Sequence, residues 1–265
     1  MKVDKIQENL QTKKLGKKIL FLHEIGSTND LAKEMANYRA SEGTIAIAET
    51  QIAGRGRLDR QWFSPKGGLY FSVILRPKVT VKESVGLIFV ASLAVAKVLH
   101  ETYGLHAETK WPNDVLVNGR KVCGILSETK TKGEKVDYVV IGLGINANVD
   151  VEKKFPEELK TVATSLANEL GKKVRLGELF KLLLEKLDSL YEQFLKEGFT
   201  QVLKEWKKYA DFLGKTVEVT DGTGRFCGLA LDVDNDGALI VGLEDGTVKR
   251  FFVGDISLQI NERKT

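Results

Sequence analysis

Cysteine is scarce: Cys123 and Cys227 are the only two in the 265-residue chain, and they lie far apart. Two thiols without close spacing provide neither a disulfide framework nor a zinc site. No apolar run reads as long enough to span a bilayer, and the longest, VGLIFVASLAVAKVL (85–99), is broken by polar residues. The opening residues, MKVDKIQENLQTKK, lack the apolar stretch of an export signal. Neither charge dominates: a formal net charge of +4 permits an anionic ligand without demanding a nucleic acid. These absences favour a reduced, cytoplasmic, soluble protein with no membrane partner. A hydrophobic content of 43% over this length suffices for a sizeable core, and the length favours one large domain followed by a small one.

Along the chain the pattern is α+β. Residues 2–18 are lysine-rich and polar, a short helix or a loose arm with a solvated face. KILFLHEI (18–25), TIAIAETQ (44–51) and GLYFSVILRP (68–77) read as strands, the first two separated by a helix that Ser27 or Thr28 caps. Residues 83–104 form a long, mostly buried helix closed by Gly104. From 107 to 149 the pattern is a β-meander, with Asn118-Gly119 as a two-residue hairpin turn and 132–134 as a second turn. Residues 156–210 read as helical, and from about Gly214 short strands alternate with Asp-Gly turns, the signature of a small β-barrel. The expected architecture is a mostly antiparallel sheet covered by helices in residues 1–212, plus a C-terminal β-barrel in residues 213–265.

Two motif-like stretches carry no chemistry of their own. GLGINA (142–147) has the glycine spacing of a dinucleotide site, but the following NVDVEKKFP cannot form the helix that would face a pyrophosphate. DVDNDG (232–237) begins like a calcium loop, yet Leu243 stands where a bidentate acid is needed, so it reads as a hairpin turn.

The informative stretch is GRGRLDRQWFSPKGG (54–68). Arg55 and Arg57 alternate with Gly54 and Gly56, and Arg60 follows just before Trp62 and Phe63. Glycine lets backbone N–H groups approach an anion, the arginine fork suits phosphate or carboxylate oxygens, and the indole offers a face to a base. The pattern implies a mobile cationic loop that closes over a phosphate ester, its arginines unpaired because their partner is the ligand. In KWPNDVLVNGRK (110–121), Lys110, Asn113 and Asp114 stand in a turn fixed by Pro112, with Lys121 just past the hairpin, a typical polar lining for a pocket. Ser27, Thr28 and Asn29 open a helix and can receive the polar end of a small ligand.

GSTNDLA, ETQIAGRGRLDRQWFSPKGGLYFSVIL, KWPNDVLVNGRKVCGIL and VVIGLGINAN together resemble the catalytic domain of biotin protein ligases, over about residues 20–260. The resemblance implies a class II synthetase-like domain, a mixed, mostly antiparallel sheet with helices on one side, with an SH3-like C-terminal barrel. It implies a two-step reaction, in which biotin and ATP give biotinyl-5′-AMP and pyrophosphate, and a carrier-domain lysine then takes the biotinyl group and releases AMP. ATP and Mg2+ are the implied cofactors, the biotin carboxyl carrier domain of a carboxylase the implied partner, and homodimers are common in the family. By matching positions, biotin falls to Ser27, Thr28, Asn29, Gln51, Gly54, Arg55, Gly56, Arg57 and Lys121. Within that set Gln51 and the loop N–H groups hold the ureido head, and Gly54 permits close approach. Arg60, Trp62, Asn113, Asp114 and Asn146 fall on the ATP and adenylate side, and Lys121, Arg57 and Lys110 carry the catalytic roles. Metal ligands stay unassigned.

A lipoate–protein ligase, with a related fold, is the neighbouring alternative, and the GRGR and Asn-Gly-Arg-Lys elements favour biotin over it. A nucleic-acid-binding regulator is the alternative of another class. Only 26 residues precede Ser27, fewer than a helix-turn-helix domain needs, so no DNA partner is expected.

Overall fold

The computed structural model describes residues 7–258; the sequence expectations for residues 1–6 and 259–265 lie outside them. The larger sheet comprises β1 (Lys18–Ile25), β2 (Thr44–Gln51), β3 (Leu69–Leu75), β4 (Ala107–Lys110), β5 (Asp114–Val117), β6 (Arg120–Lys132) and β7 (Lys135–Ile145), in the order β1-β2-β3-β7-β6-β5-β4. β1 pairs with β2 in parallel, and the other neighbours are antiparallel. The β5–β6 turn has the left-handed pair expected of Asn-Gly, with φ 51° at Asn118 and 72° at Gly119.

The central strands are covered on both faces, which is why β3 is buried at every residue rather than alternating. Phe71, Val73 and Leu75 belong to the main core beneath α2 (Gly86–Tyr103) and α3 (Leu176–Glu197). On the other face α1 (Thr28–Asn37) packs Ala32 and Ala36 against Ala46, Ile74 and Val140. The large helices thus lie on one side as expected, and α1 is the exception. Its first turn, capped by the Ser27 hydroxyl, is thereby delivered to the end of β2.

Two sequence expectations are corrected here. Val81–Tyr103 is long and apolar enough by composition to cross a membrane. It lies instead in the core, packed against β4–β7, α3 and α4 (Phe199–Trp206), and a helix surrounded on nearly all sides is apolar all round. Residues 156–210 are also not continuously helical. Helices of four and five residues at Glu157–Lys160 and Leu166–Leu170 precede α3, because the chain between them is recruited to β6: Lys121 N–H donates to Val162 O at 2.8 Å and Thr164 N–H to Lys121 O at 2.9 Å.

Residues 7–17 are not a loose arm. The buried Asp188 carboxylate accepts the N–H groups of Lys13, Lys14 and Leu15 at 2.7–2.9 Å, and Lys14 stands 3.6 Å from both Glu42 and Glu192.

The smaller sheet, β8 (Thr216–Asp221), β9 (Gly224–Val233), β10 (Leu239–Leu243), β11 (Val248–Phe251) and β12 (Asp255–Leu258), is antiparallel in the order β11-β10-β9-β8-β12. One apolar core runs through both sheets. The Trp111 indole N–H donates to Gly237 O at 2.9 Å, pinning the turn before β5 to the β9–β10 connection. That docking places Asp255, at the start of β12, within ion-pair distance of Arg60.

Candidate active site

A cavity of about 310 Å³ opens where the N-terminus of α1, the 52–68 loop, the β5–β6 hairpin, the middle of β7 and the 155–163 segment meet. That volume fits a small-molecule site. Its floor is made by glycines of adjacent strands, Gly124 of β6 and Gly142 and Gly144 of β7. A Cβ at Gly144 would lie 2.3 Å from Trp62 Nε1, one at Gly124 2.7 Å from the same ring, and one at Gly142 1.9 Å from Asn29 Oδ1. The glycines of GLGINA therefore lie in a strand, as expected, and they also make room for Trp62 and Asn29 at the site.

Ser27, Thr28, Asn29, Gln51, Arg55, Gly56, Arg57, Arg60, Trp62, Asn113, Asp114, Lys121 and Asn146 all line this cavity. Gly54 and Lys110 are absent from the lining. Gly54 does permit a close approach, but of its own loop: a Cβ there would meet Trp62 O at 2.4 Å and Ser64 Oγ at 2.7 Å. Lys110 stands behind the wall. Burial, reinforced by Lys121 and Arg60, lowers its pKa from the ordinary lysine value against the pull of Asp114 and Asp255.

The polar floor is a chain of hydrogen bonds. Thr28 donates through N–H and hydroxyl to Gln51 Oε1 at 2.8 and 3.0 Å, Gln51 Nε2 donates to Ser64 Oγ at 2.8 Å, and the Ser64 hydroxyl donates to Trp62 O at 3.0 Å. The Ser72 hydroxyl donates to Asn29 Oδ1 at 2.6 Å, and Asn29 Nδ2 donates to Glu128 Oε2 at 2.9 Å. Lys121 Nζ lies 2.7 Å from Asp114 Oδ1 and 5.2 Å from the centre of the Trp62 ring.

The arginines are not unpaired, contrary to the sequence reading. Arg55 pairs with Asp30 and Glu128, and Arg60 with Asp255. These acids lie 25 to 195 positions away along the chain, so a local scan misses them. Arg57 differs: its guanidinium donates to neutral acceptors, Asn113 Oδ1 at 3.0 Å and Gly254 O at 3.4 Å, and no carboxylate pairs with it among the described residues. Burial lowers its pKa, with Asp255 and Asp114 opposing from further off, but arginine keeps its proton throughout the working pH range. Arg57 is thus a half-buried positive charge in the cavity lining without an ion pair among the described residues, and Lys110 behind the wall is a second. Among the described residues, three polar atoms of the lining that no ion pair reaches, Arg55 Nε, Trp62 Nε1 and Asn146 Oδ1, are also buried without a hydrogen-bond partner. Unsatisfied groups of this kind call for an explanation, and a bound ligand supplies one.

Residues the sequence did not single out are Glu128, Ser64 and Ser72 among the hydrogen-bonding groups, and Phe155, Leu159, Val162 and Ala163, which form the apolar wall. Phe155 packs edge-on against Phe63 at 5.2 Å, joining that wall to the end of the arginine loop. Asp255, from the second sheet, also lines the cavity.

The molecule is thus a mixed sheet with a cationic, glycine-floored pocket to whose lining the second sheet contributes Asp255. Residues 22–146 match the biotin/lipoate A/B protein ligase family and residues 212–259 the biotin protein ligase C terminal domain. The chain is 36% identical to the bifunctional ligase/repressor BirA of Bacillus subtilis over 96% of its own length and 78% of that protein's. It is 34% identical to a biotin–[acetyl-CoA-carboxylase] ligase of Paracoccus denitrificans, over 81% of this chain and 90% of that one. Among solved structures, a biotin protein ligase from Aquifex aeolicus in complex with biotin and ATP superposes with a TM-score of 0.77 at 31% identity, covering 92% of this chain and 99% of the other. The chain belongs to the biotin protein ligase family.

Proposed function

We propose that this chain activates biotin with ATP to biotinyl-5′-AMP and transfers the biotinyl group to one lysine of a biotin carboxyl carrier domain. The supporting observation is Arg57, a half-buried guanidinium with only neutral hydrogen-bond partners among the described residues, at the edge of a cavity lined on one side by hydrogen-bonding groups and on the other by apolar ones. In the first step a biotin carboxylate oxygen attacks the α-phosphorus, the bond to the β-phosphate oxygen breaks, and pyrophosphate leaves. Two anions must approach and negative charge gathers on the phosphoryl oxygens, so fixed cations in a closed site are worth roughly 2–4 kcal/mol each. Arg57 and Lys121 take that role, and Lys110 adds its field from behind. In the second step the lysine amine attacks the acyl carbon and AMP departs as the acyl–phosphate bond breaks.

Biotin occupies the floor beside Ser27, Thr28, Asn29 and Gln51, and the adenylate lies toward Asn113, Asp114, Asn146, Arg60 and Trp62. Asn146 Oδ1 and Trp62 Nε1 gain there the partners they lack. Asp114 and Asp255 offer oxygen donors of the kind magnesium takes, but Lys121 and Arg60 already hold them. The arrangement fits an ion that arrives on ATP with its shell mostly of water and phosphate, adding charge neutralisation at the phosphates. A cytoplasmic location, the lack of a DNA partner and a homodimer of the kind common in the family accompany this reading as expectations.

The test is adenylate formation from α-labelled ATP and magnesium, with biotin and lipoate in parallel. Product that requires biotin is expected. Product with lipoate alone would overturn the substrate, and product with neither acid would overturn the reaction.

A further inference from the structure

The three loop arginines have different surroundings. Arg60 is tied to Asp255 and so to the second sheet, while Arg57 meets only neutral acceptors. Arg55, in the cavity lining, belongs to a four-membered charge cluster. Its Nη2 lies 2.5 Å from Glu128 Oε2 and 3.0 Å from Asp30 Oδ1, and Lys33 Nζ lies 2.8 Å from Glu128 Oε1 and 3.1 Å from Asp30 Oδ1. Glu128 is the one member on the sheet, in β6; Asp30 and Lys33 ride on α1 and Arg55 on the loop. The same Glu128 Oε2 accepts from Asn29 Nδ2 at 2.9 Å, and Asn29 is fixed from its other end by Ser72 at 2.6 Å.

We infer that Glu128 is a positioning residue of the ligase reaction: it clamps the first limb of the arginine loop through Arg55 and orients the Asn29 amide over the pocket floor. This inference rests on the function proposed above. One carboxylate therefore joins the two parts of the biotin side that a ligand must find in register, the α1 N-terminus and the loop. Arg55 acts through this clamp, and its unpartnered Nε–H is what remains for a ligand to use. With Arg55 held by Glu128 and Arg60 by Asp255, the loop is moored on both sides of Arg57, which is left facing the reacting phosphate.

The cluster is balanced, two acids against two bases, so removing one acid leaves both Arg55 and Lys33 seeking Asp30 alone. A hydrogen bond to a charged group contributes about 1.5–3 kcal/mol, which corresponds to roughly tenfold or more in binding.

The experiment compares the full chain with Glu128→Gln, Arg55→Met and the double variant. Three quantities are read: tryptic cleavage after Arg57 without ligand, thermal midpoint, and the separate KM for biotin and kcat of adenylate formation. Glu128→Gln should speed cleavage after Arg57 and raise the biotin KM about tenfold, with kcat changing much less. In the double variant the two losses should overlap rather than multiply. A drop in thermal midpoint with unchanged cleavage and unchanged KM, or multiplicative losses in the double variant, would overturn the clamp. If the parent forms no biotin-dependent adenylate, the function is wrong, and the cleavage comparison still decides whether the loop is moored by Glu128.

Discussion

Gly142→Ala probes how closely the sheet floor and α1 are fitted. The added Cβ would fall 1.9 Å from Asn29 Oδ1 and 2.8 Å from Asn29 Cγ, whereas an ordinary contact needs about 3.4 Å or more. The Asn29 amide must therefore move by more than an ångström, and it has no free direction. Its oxygen is held by Ser72 at 2.6 Å and its nitrogen by Glu128 at 2.9 Å. Losing one neutral hydrogen bond and one to a carboxylate amounts to about 2–4 kcal/mol. For a chain of this size that is a fall in thermal midpoint of roughly 4–16 °C. Because Asn29 lines the cavity, the biotin KM should rise with it, by about tenfold or more. Differential scanning calorimetry reads the first effect and biotin-dependent adenylate formation the second. A Gly142→Ala protein that melts with the parent and binds biotin as tightly would refute the assignment of Asn29 to the pocket floor.

Three further outcomes are expected. Arg57→Gly removes a lining cation that no carboxylate pairs with among the described residues, so the adenylate should escape severalfold faster and biotinylate stray amines; normal retention on gel filtration would remove Arg57 from that role. Lys121→Gln should slow adenylate formation about 10²–10³-fold while ATP binding changes little, since the ammonium acts where charge develops, and near-normal turnover would return Lys121 to a merely structural ion pair with Asp114. On the pH axis, burial opposes ionisation of Glu128 but hydrogen bonds from Lys33, Asn29 and Arg55 hold its pKa below the ordinary carboxylate value. A depressed folded-state pKa gives stability that is present above about pH 4–5 and lost as pH falls through the folded value. The difference in thermal midpoint between parent and Glu128→Gln should therefore be constant near neutrality and shrink in acid; a difference that grew in acid would reverse the sign assigned to Glu128.

Much of the local structure was legible in the sequence. β1 and β2 match their strand readings at Lys18–Ile25 and Thr44–Gln51, the Asn118-Gly119 turn adopts its left-handed pair, and Gly104 closes α2 at φ 66°. Each depends on neighbours within a few residues. The site residues were legible as a set of chemical types in a few short segments, but their pairing was not. Arg55 meets Glu128 and Arg60 meets Asp255 through sheet register and the docking of the second sheet, neither of which has a local signal. The same cause hid the opposite face taken by α1. Residues 157–175 misled because their helical turns are interrupted where residues 162–164 bond to Lys121, a tertiary choice that overrides propensity.

A single-turnover chase tests the reaction most directly. Enzyme loaded with labelled biotin and ATP is freed of excess ligand and mixed with a carrier domain bearing its acceptor lysine. The predicted result is one burst in which enzyme-bound biotinyl-5′-AMP disappears as an amide on that lysine and AMP appear in equal amount, with no transfer when the lysine is replaced by arginine. Transfer that proceeds without a bound acyl adenylate, or that releases ADP in place of AMP, would contradict it.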